Sequence, residues 1–216
     1  MFVEYLVKLL WRFCNRREGF LWRGLTSAAR WAKSRPIRKN MKYRQDCRVN
    51  IARLKEKLAS EDIDDIYDAL IDIGKTDCYE LMEDVRRFLQ HLEPDLQRAA
   101  IMVLGIYWAV PDFKHELVPL MSKDVDDDVR ATALINWVGY YAGTKDPAVL
   151  LRLNDLLRDK TEDIFVRMEA LRGLFRVAQS GIDDTLMRQL ERAPSYAEFE
   201  SLIPWELVDK LIEKAS

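Results

Sequence analysis

Few residues of this chain have the types and spacing that catalysis or metal binding needs. The only histidines are His91 and His115, and two histidines give no recognisable Ser–His–Asp or Cys–His set. The acidic run DVDDD at 124–128 lacks the glycine and the twelfth-position glutamate of a calcium loop, so we expect it to cap a helix. The sequence therefore predicts no catalytic residues, no metal site and no cofactor, and we expect a protein that is not an enzyme. Carboxylate-only chemistry is the enzymatic alternative that stays open.

The three cysteines indicate a cellular compartment. Cys14, Cys47 and Cys78 are isolated, odd in number and without a CxxC spacing. This pattern predicts free thiols in a reducing compartment rather than a disulfide framework or a zinc cluster. No apolar run is long enough to cross a bilayer, and the first residues lack the pattern of a secretory signal. We therefore expect a cytoplasmic protein.

Charge is divided unevenly along the chain. Residues 1–60 hold 16 Lys or Arg against 4 Asp or Glu, whereas residues 61–216 hold 18 against 32, within a net charge of -2. Such asymmetry marks a binding tail or two surfaces of one protein that attract each other. The stretch RWAKSRPIRKNMKYR at 30–44 contains no acidic residue. Its candidate anion or nucleic-acid contacts are Arg30, Lys33, Arg35, Arg38, Lys39, Lys42 and Arg44.

Three interpretations of this basic stretch are open. In the first, the basic part of the chain packs on the acidic part, with Trp11, Trp22 and Trp31 turned inward. In the second, its cations and interleaved aromatic residues bind a nucleic-acid backbone. In the third, the apolar helix at the N-terminus lies on an anionic membrane surface.

The acidic part of the chain repeats. Four segments align without gaps, and each has an alanine followed by an aliphatic residue, with the alanines 31, 33 and 37 residues apart. This period, together with helical apolar spacing, predicts stacked helical hairpins and an all-α fold class. The four second helices are predicted at 65–74, 96–105, 129–138 and 166–175. The helices that precede them are predicted at 49–58, 79–90, 113–121 and 148–157.

One pair of hairpins resembles a known repeat family. Residues 116–139 resemble a HEAT repeat, with Pro119 in the first helix and Val129 and Arg130 opening the second, and residues 153–174 are a second match. The resemblance implies an α-solenoid of about four to five HEAT-like hairpins. The domains expected from it are a basic, Trp-containing helical extension at 1–48 and a HEAT-like repeat domain at 49–216.

The same resemblance implies a ladder and a concave face. In the ladder, the arginine of a second helix pairs with turn acids of neighbouring repeats. The ladder residues are Asp124, Arg130, Asp159 and Arg167. Second helices line the concave side in this family, and the segments at 104–110 and 135–141 are apolar almost all round, so each has a further face to bury. The residues expected to meet a partner there are Met102, Tyr107, Trp108, Ile135, Trp137, Tyr140 and Tyr141.

These patterns predict a non-enzymatic protein-binding module or adaptor whose concave centre buries an aromatic anchor of its partner. The expected partner is another protein of basic charge, because acidic turns speed the approach of such a partner. In size and repeat type the chain is similar to bacterial adaptor and toxin-immunity proteins. The alternatives are a nucleic-acid-binding protein resembling the HEAT-like alkylpurine DNA glycosylases, and a protein held at a membrane surface by its N-terminal helix.

Overall fold

The structure is a computed structural model that describes residues 51–123, 125–193 and 195–214. These residues all belong to the second of the two units into which the chain divides, residues 43–216. Every regular element among them is helical and none is a strand, which confirms the all-α prediction. Within this part of the chain, no helix has the length and apolar character needed to span a bilayer.

The described residues form α-helices joined by short turns. The α-helices are α1 (51–58), α2 (Ile63–Lys75), α3 (Met82–Arg87), α4 (Pro94–Met102), α5 (Asp127–Tyr140), α6 (Pro147–Arg158), α7 (Ile164–Val177), α8 (Asp184–Arg192), α9 (Tyr196–Leu202) and α10 (Trp205–Glu213). Shorter 3₁₀ segments cover Tyr79–Leu81, Phe88–Gln90, Pro111–His115 and Pro119–Met121. A turn of π-helix at Val103–Tyr107 continues α4.

The four segments predicted as second helices are all helical. They lie in α2, in α4 with its π-helical turn, in α5 and in α7. The alanines that align in the repeat have no exposed surface, as the prediction of close helix contacts requires. These alanines are Ala69, Ala100, Ala133 and Ala170.

The predicted first helices are less regular. The prediction at 148–157 is confirmed by α6, and 79–90 contains the short helix α3 between two 3₁₀ turns. The segment at 113–121 is not an α-helix but parts of two 3₁₀ segments. Pro119 accounts for this difference, because it lacks the N–H that an α-helix through the segment would use.

Consecutive second helices pack on one another. Helix α2 contacts α4, α4 contacts α5, and α5 contacts α7. Helix α6 packs on α7, and α10 packs on both of them. Between these layers lie leucines without exposed surface, among them Leu104, Leu153 and Leu174. The described core is therefore a row of helices in which each second helix is a neighbour of the next.

Side-chain caps fix where the helices begin, as the sequence predicts. The carboxylate of Asp126 accepts hydrogen bonds from the N–H groups of Asp128 and Val129 at the start of α5. Such caps satisfy N–H groups that have no partner within the helix, and a negative charge there suits the helix dipole. The other capping residues are Asp62, Asp146, Asp163, Asp183 and Ser195.

Each second helix is followed by a residue in the left-handed conformation. These residues are Asp77 (φ 52°), Ala109 (φ 48°), Gly143 (φ 74°) and Gln179 (φ 56°), so they recur every 32, 34 and 36 residues. After Asp77 the N–H of Cys78 donates to the carbonyl of Ile73 (3.3 Å), and the same bond closes the end of α7. Three of the four residues are not glycine and therefore carry conformational strain.

We predict that Ala109→Gly stabilises the protein by about 0.5–1 kcal/mol. Glycine adopts a positive φ without the Cβ clash that alanine meets, and this gain exceeds its larger entropy loss on folding. Chemical denaturation of both forms measures the change. Ala142→Gly is the matched control, because Ala142 is also exposed in a turn and does not have a positive φ. Equal destabilisation by the two substitutions would contradict the assigned turn.

We also predict that Gly173→Val destabilises the protein by about 1–3 kcal/mol through overpacking. A Cβ on Gly173 would already lie 2.9 Å from Cγ2 of Val138 and 3.1 Å from Cδ2 of Leu153. Gly181→Val is the control, since nothing lies within 4 Å of its Cβ position. Thermal melts that rank the two variants equally would show that α5, α6 and α7 do not meet as described.

Candidate functional site

The carboxyl-terminal ends of the second helices lie side by side. At the end of α2, a Cβ on Gly74 would lie 2.9 Å from Cδ2 of Tyr107, at the end of the π-helical turn. The hydroxyl of Tyr140, the last residue of α5, donates to the carbonyl oxygen of Val110 (2.7 Å). Backbone hydrogen bonds of 3.0 Å join the turn after α5 to the end of α7. These contacts place four helix ends along one edge of the described structure.

Aromatic side chains are concentrated on this edge. Tyr79 is 49% exposed, Tyr107, Tyr140 and Tyr141 are half-buried, and Trp108 is buried. We call these five residues the aromatic edge. Tyrosine and tryptophan are enriched at the energetic centres of protein interfaces, because they present a large rigid area together with a polar group.

Tyr79 is the most exposed residue of the aromatic edge, and it packs on the buried Trp108. Their ring centroids are 5.0 Å apart with an interplanar angle of 37°. Trp108 is 7% exposed, and its indole Nε1 is a buried donor without an acceptor among the residues that the structure describes. Partial burial, and then the charge of Asp77, raise the pKa of Tyr79 above its ordinary value. The exposed ring of Tyr79 therefore lies in a negative electrostatic environment.

Tyr140 links the aromatic edge to the segment that follows it. Besides its bond to the carbonyl of Val110, Tyr140 lies near Glu116, and partial burial followed by the charge of Glu116 raises its pKa. Glu116 in turn pairs with Arg86 (3.2 Å). These contacts hold the ring of Tyr140 in place, so this part of the edge is formed before any partner binds.

Cations already stack on rings next to the edge. Trp137 and Tyr141 are one helical turn apart, with ring centroids 5.0 Å apart. The Nζ of Lys114 lies 5.8 Å from the ring centre of Tyr141, and Cζ of Arg152 lies 5.2 Å from that of Trp137. Both distances are in the range of cation–π interactions. Aromatic surface in this region is therefore suited to bind positive charge.

The residues predicted for a concave face do not form one open surface. Met102, Trp108, Ile135 and Trp137 are each less than one-tenth exposed. All residues from 129 to 138 are buried, which is the physical reason: α5 has neighbours on every side. The remaining predicted residues, Tyr107, Tyr140 and Tyr141, lie on the aromatic edge. Sequence reasoning missed Tyr79, which is the first residue of the segment predicted as a first helix at 79–90.

The basic residues of the sequence prediction cannot be placed on this surface. Arg30, Lys33, Arg35, Arg38, Lys39, Lys42 and Arg44 lie outside the described residues, as does the extension at 1–48. The nucleic-acid and membrane alternatives depend on the same part of the chain. They stay predictions.

The arginines predicted for a ladder make buried contacts between successive turns. Arg130 is 4% exposed and pairs with Asp127 (2.7 Å) and with Glu162, whose side chain is 1% exposed. Asp159, also predicted, instead binds Lys123 (2.7 Å), and that bond is the main cause that lowers its pKa. Asp124 lies outside the described residues. The acid that Arg130 contacts in the next turn is thus Glu162 rather than Asp159.

Arg167 occupies the equivalent position in α7 and has no exposed surface. Its Nε donates to the carbonyl of Leu157 (2.7 Å), and its Nη2 pairs with Glu200 (2.7 Å). Its guanidinium also binds the hydroxyl of Tyr196 and lies 5.4 Å from the ring centre of Phe199. These contacts connect α7 with α9, so Arg167 stabilises the fold.

A second ionic cluster lies on the other side of α7. Arg172 pairs with both Glu169 and Glu191. Burial, and then the charge of Glu191, raise the pKa of Glu169, whereas burial lowers the pKa of Arg172 to about 10. Burial also lowers the pKa of Arg176, one turn further along α7, to about 10. Arg172, Glu169 and Glu191 thus form a cluster of buried and partly buried groups that pair with one another.

The histidines and the acidic run are the residues whose side chains are best suited to bind a metal, and they do not come together in the described structure. His91 accepts a hydrogen bond at Nδ1 from the N–H of Glu93 (3.0 Å), and His115 is exposed. Within the described ranges no group of three or more His, Cys, Asp or Glu is arranged to hold a metal ion. Asp126 of the acidic run caps α5, as the sequence predicts.

Cys78 differs from the sequence prediction. It has no exposed surface and is disulfide-bonded, so it is not the free thiol that its isolation in the sequence predicts. Spacing did not reveal this, because a pattern of three cysteines gives no information about which ones approach in the fold. Cys78 lies between Asp77 and Tyr79, so its disulfide bond is in the turn that presents Tyr79 of the aromatic edge.

Comparison with known proteins gives no match, whether with family models, with curated proteins or with solved structures. The geometry of the described residues therefore carries the functional proposal.

We predict strong coupling between Arg130 and Glu162. Removing one partner leaves a buried charge uncompensated, so Arg130→Met and Glu162→Leu should each cost about 3–5 kcal/mol. The double variant should cost much less than the sum, because no charge is then left alone. Denaturant unfolding of the four proteins measures the cycle. Lys123→Met, which breaks the exposed bridge to Asp159, is the control and should change stability little. Additive costs would contradict a direct buried pair.

Proposed function

We propose that this chain is a non-enzymatic protein-binding module that docks a protein partner on its aromatic edge. The observation that carries the proposal is the pair of Tyr79 and Trp108, in which a ring that is 49% exposed rests on a buried one. A ring held from behind in this way loses little freedom when a partner covers it, which lowers the entropy cost of binding.

The site is assigned to the edge rather than to a concave centre. Four of the seven residues predicted for that centre are buried in the core, so a partner cannot reach them without opening the helices. The aromatic edge instead presents rings to solvent from several successive turns. Surfaces of this composition supply the anchoring residues of protein interfaces.

We propose further that the scaffold is a HEAT-like α-solenoid. Three features support this assignment: each second helix packs on the next, left-handed turns recur every 32 to 36 residues, and arginines connect successive turns. Stacked repeats of this kind display a long surface whose loops vary without disturbing the core. That property suits a module whose task is recognition.

A cytoplasmic location stays part of the proposal. One of the three thiols expected to be free, that of Cys78, is disulfide-bonded. Disulfides persist mainly in oxidising compartments. The binding proposal does not depend on the compartment, so its test is the same for either location.

Affinity capture with the tagged full chain, followed by mass spectrometry, tests the proposed function. We expect a protein to be recovered with the wild type and lost with the double variant Tyr79→Ala/Tyr141→Ala, because truncating a hot-spot ring costs about 2 kcal/mol or more, which is about thirtyfold in affinity. Leu151→Ala is the matched control, since Leu151 is 47% exposed on α6, away from the edge.

Thermal melts of the three proteins must show that each is folded. Recovery of nucleic acid in place of a protein would contradict the proposal and favour the alternative that the basic N-terminal part binds nucleic acid. Equal recovery of the same protein with the wild type and the double variant would also contradict it.

A further inference from the structure

The turn that follows α2 brings an aromatic ring and negative charge together. Tyr79 packs on Trp108 with the two rings tilted by 37° and keeps 49% of its surface exposed. Among the described residues no lysine or arginine lies over this ring, in contrast to Trp137 and Tyr141. Asp77 lies two residues before Tyr79, and its carbonyl oxygen accepts a hydrogen bond from the N–H of Tyr79 (2.9 Å). Its charge is the second cause, after partial burial, that raises the pKa of Tyr79.

The helix that leads to this turn presents acid to solvent. Asp68 and Asp72 of α2 are exposed one helical turn apart, and neither forms a salt bridge with any residue that the structure describes. The C-terminal end of α2 adds the negative end of a helix dipole. Helix α2 carries four aspartates against one lysine, Lys75 in its last turn, so acidic charge predominates along the helix that leads to Tyr79.

We infer that this corner, made by Asp68, Asp72, Asp77, Tyr79 and Trp108, binds an arginine-containing basic segment of a partner protein. The inference rests on the proposed function and names the chemistry of its partner. The guanidinium of the segment stacks on the exposed face of Tyr79, and its neighbouring cations lie along the acidic face of α2. Charge complementarity supports this occupant, because residues 61–216 hold 18 basic and 32 acidic side chains.

Arginine fits the corner better than lysine. Its guanidinium is planar, stacks on aromatic rings and loses less hydration on binding than an ammonium group. The chain itself shows the geometry: Cζ of Arg158 lies 4.7 Å from the ring centre of Trp205, closer than the 5.8 Å between Lys114 and Tyr141. We therefore expect an oligoarginine peptide to bind more tightly than an oligolysine peptide of equal length.

The test is fluorescence anisotropy of a fluorescein-labelled oligoarginine peptide titrated with the full chain. We expect binding that weakens as salt is added, because exposed charges are screened. Tyr79→Ala should weaken it about two- to fivefold, the value of one exposed cation–π contact, whereas Tyr79→Phe keeps the ring and should bind as the wild type does. Leu151→Ala, at an exposed residue of α6 that is not part of the aromatic edge, should change nothing.

Substitution of the aspartates tests whether the acids of α2 attract the peptide specifically or whether any exposed acid of the protein does so. Asp68→Asn/Asp72→Asn should weaken the oligoarginine peptide, and Asp155→Asn, an exposed acid on α6, should not. Melting temperatures confirm that each variant is folded. No binding at low salt overturns the inference, including the case in which basic residues of this chain cover the corner. Equal binding by all variants also overturns it, because the attraction is then non-specific.

The two proposals fail in different ways. If affinity capture depends on the aromatic edge but the oligoarginine peptide does not bind, the proposed function stands and the arginine inference is wrong. If the peptide binds through Tyr79 while capture is independent of the edge, the corner binds cations but is not the docking site.

Discussion

The close approach of consecutive second helices is the constraint on which the described structure depends. The aligned alanines have no exposed surface, and Gly173 leaves no room for a Cβ beside Val138. The distance between packed helices is set by the side chains at their contact, so larger residues here would move α5 and α7 apart. The ends of these helices would then no longer meet. The aromatic edge takes its spacing from this packing, although none of its residues makes the contacts that set it.

After each second helix, a residue with positive φ reverses the chain, and these reversals determine which side chains at the helix ends face solvent. Because Asp77 has a positive φ, the chain reverses at once, Cys78 turns into the core and Tyr79 turns outward. Ala109 ends the following helix in the same way, one residue after Trp108. The strain of a non-glycine residue in this conformation is about 1–2 kcal/mol, small against the packing of a helix. The backbone therefore positions the two rings, and their own contact adds to an arrangement that already exists.

Features that repeat along the sequence could be predicted, whereas features that depend on how a helix is rotated about its own axis could not. The four second helices follow from spacing, and the structure confirms them. Aspartates cap α2, α5 and α7, whereas Glu93 at the start of α4 makes no side-chain cap hydrogen bond. Whether Trp137 points towards a partner or towards α6 depends on how α5 is rotated in its neighbours, and an apolar pattern that runs all round a helix does not contain that information. Spacing also could not decide that Glu162, and not Asp159, is the partner of Arg130: both acids lie in the turn between α6 and α7, and Asp159 instead binds Lys123.

Acidic residues of this chain have two different roles, and only one of them is internal. Asp126, Asp163 and Glu162 cap helices or pair with a buried arginine, so their charge is neutralised within the fold. Asp68 and Asp72 repel each other across one turn of α2, which weakens an isolated helix by a few tenths of a kcal/mol. A cationic ligand removes that repulsion, so its binding and the stability of α2 are thermodynamically linked. The helix that carries these two exposed acids also leads to Tyr79, and this coincidence of acidic side chains with an exposed ring is the basis of the proposed recognition surface.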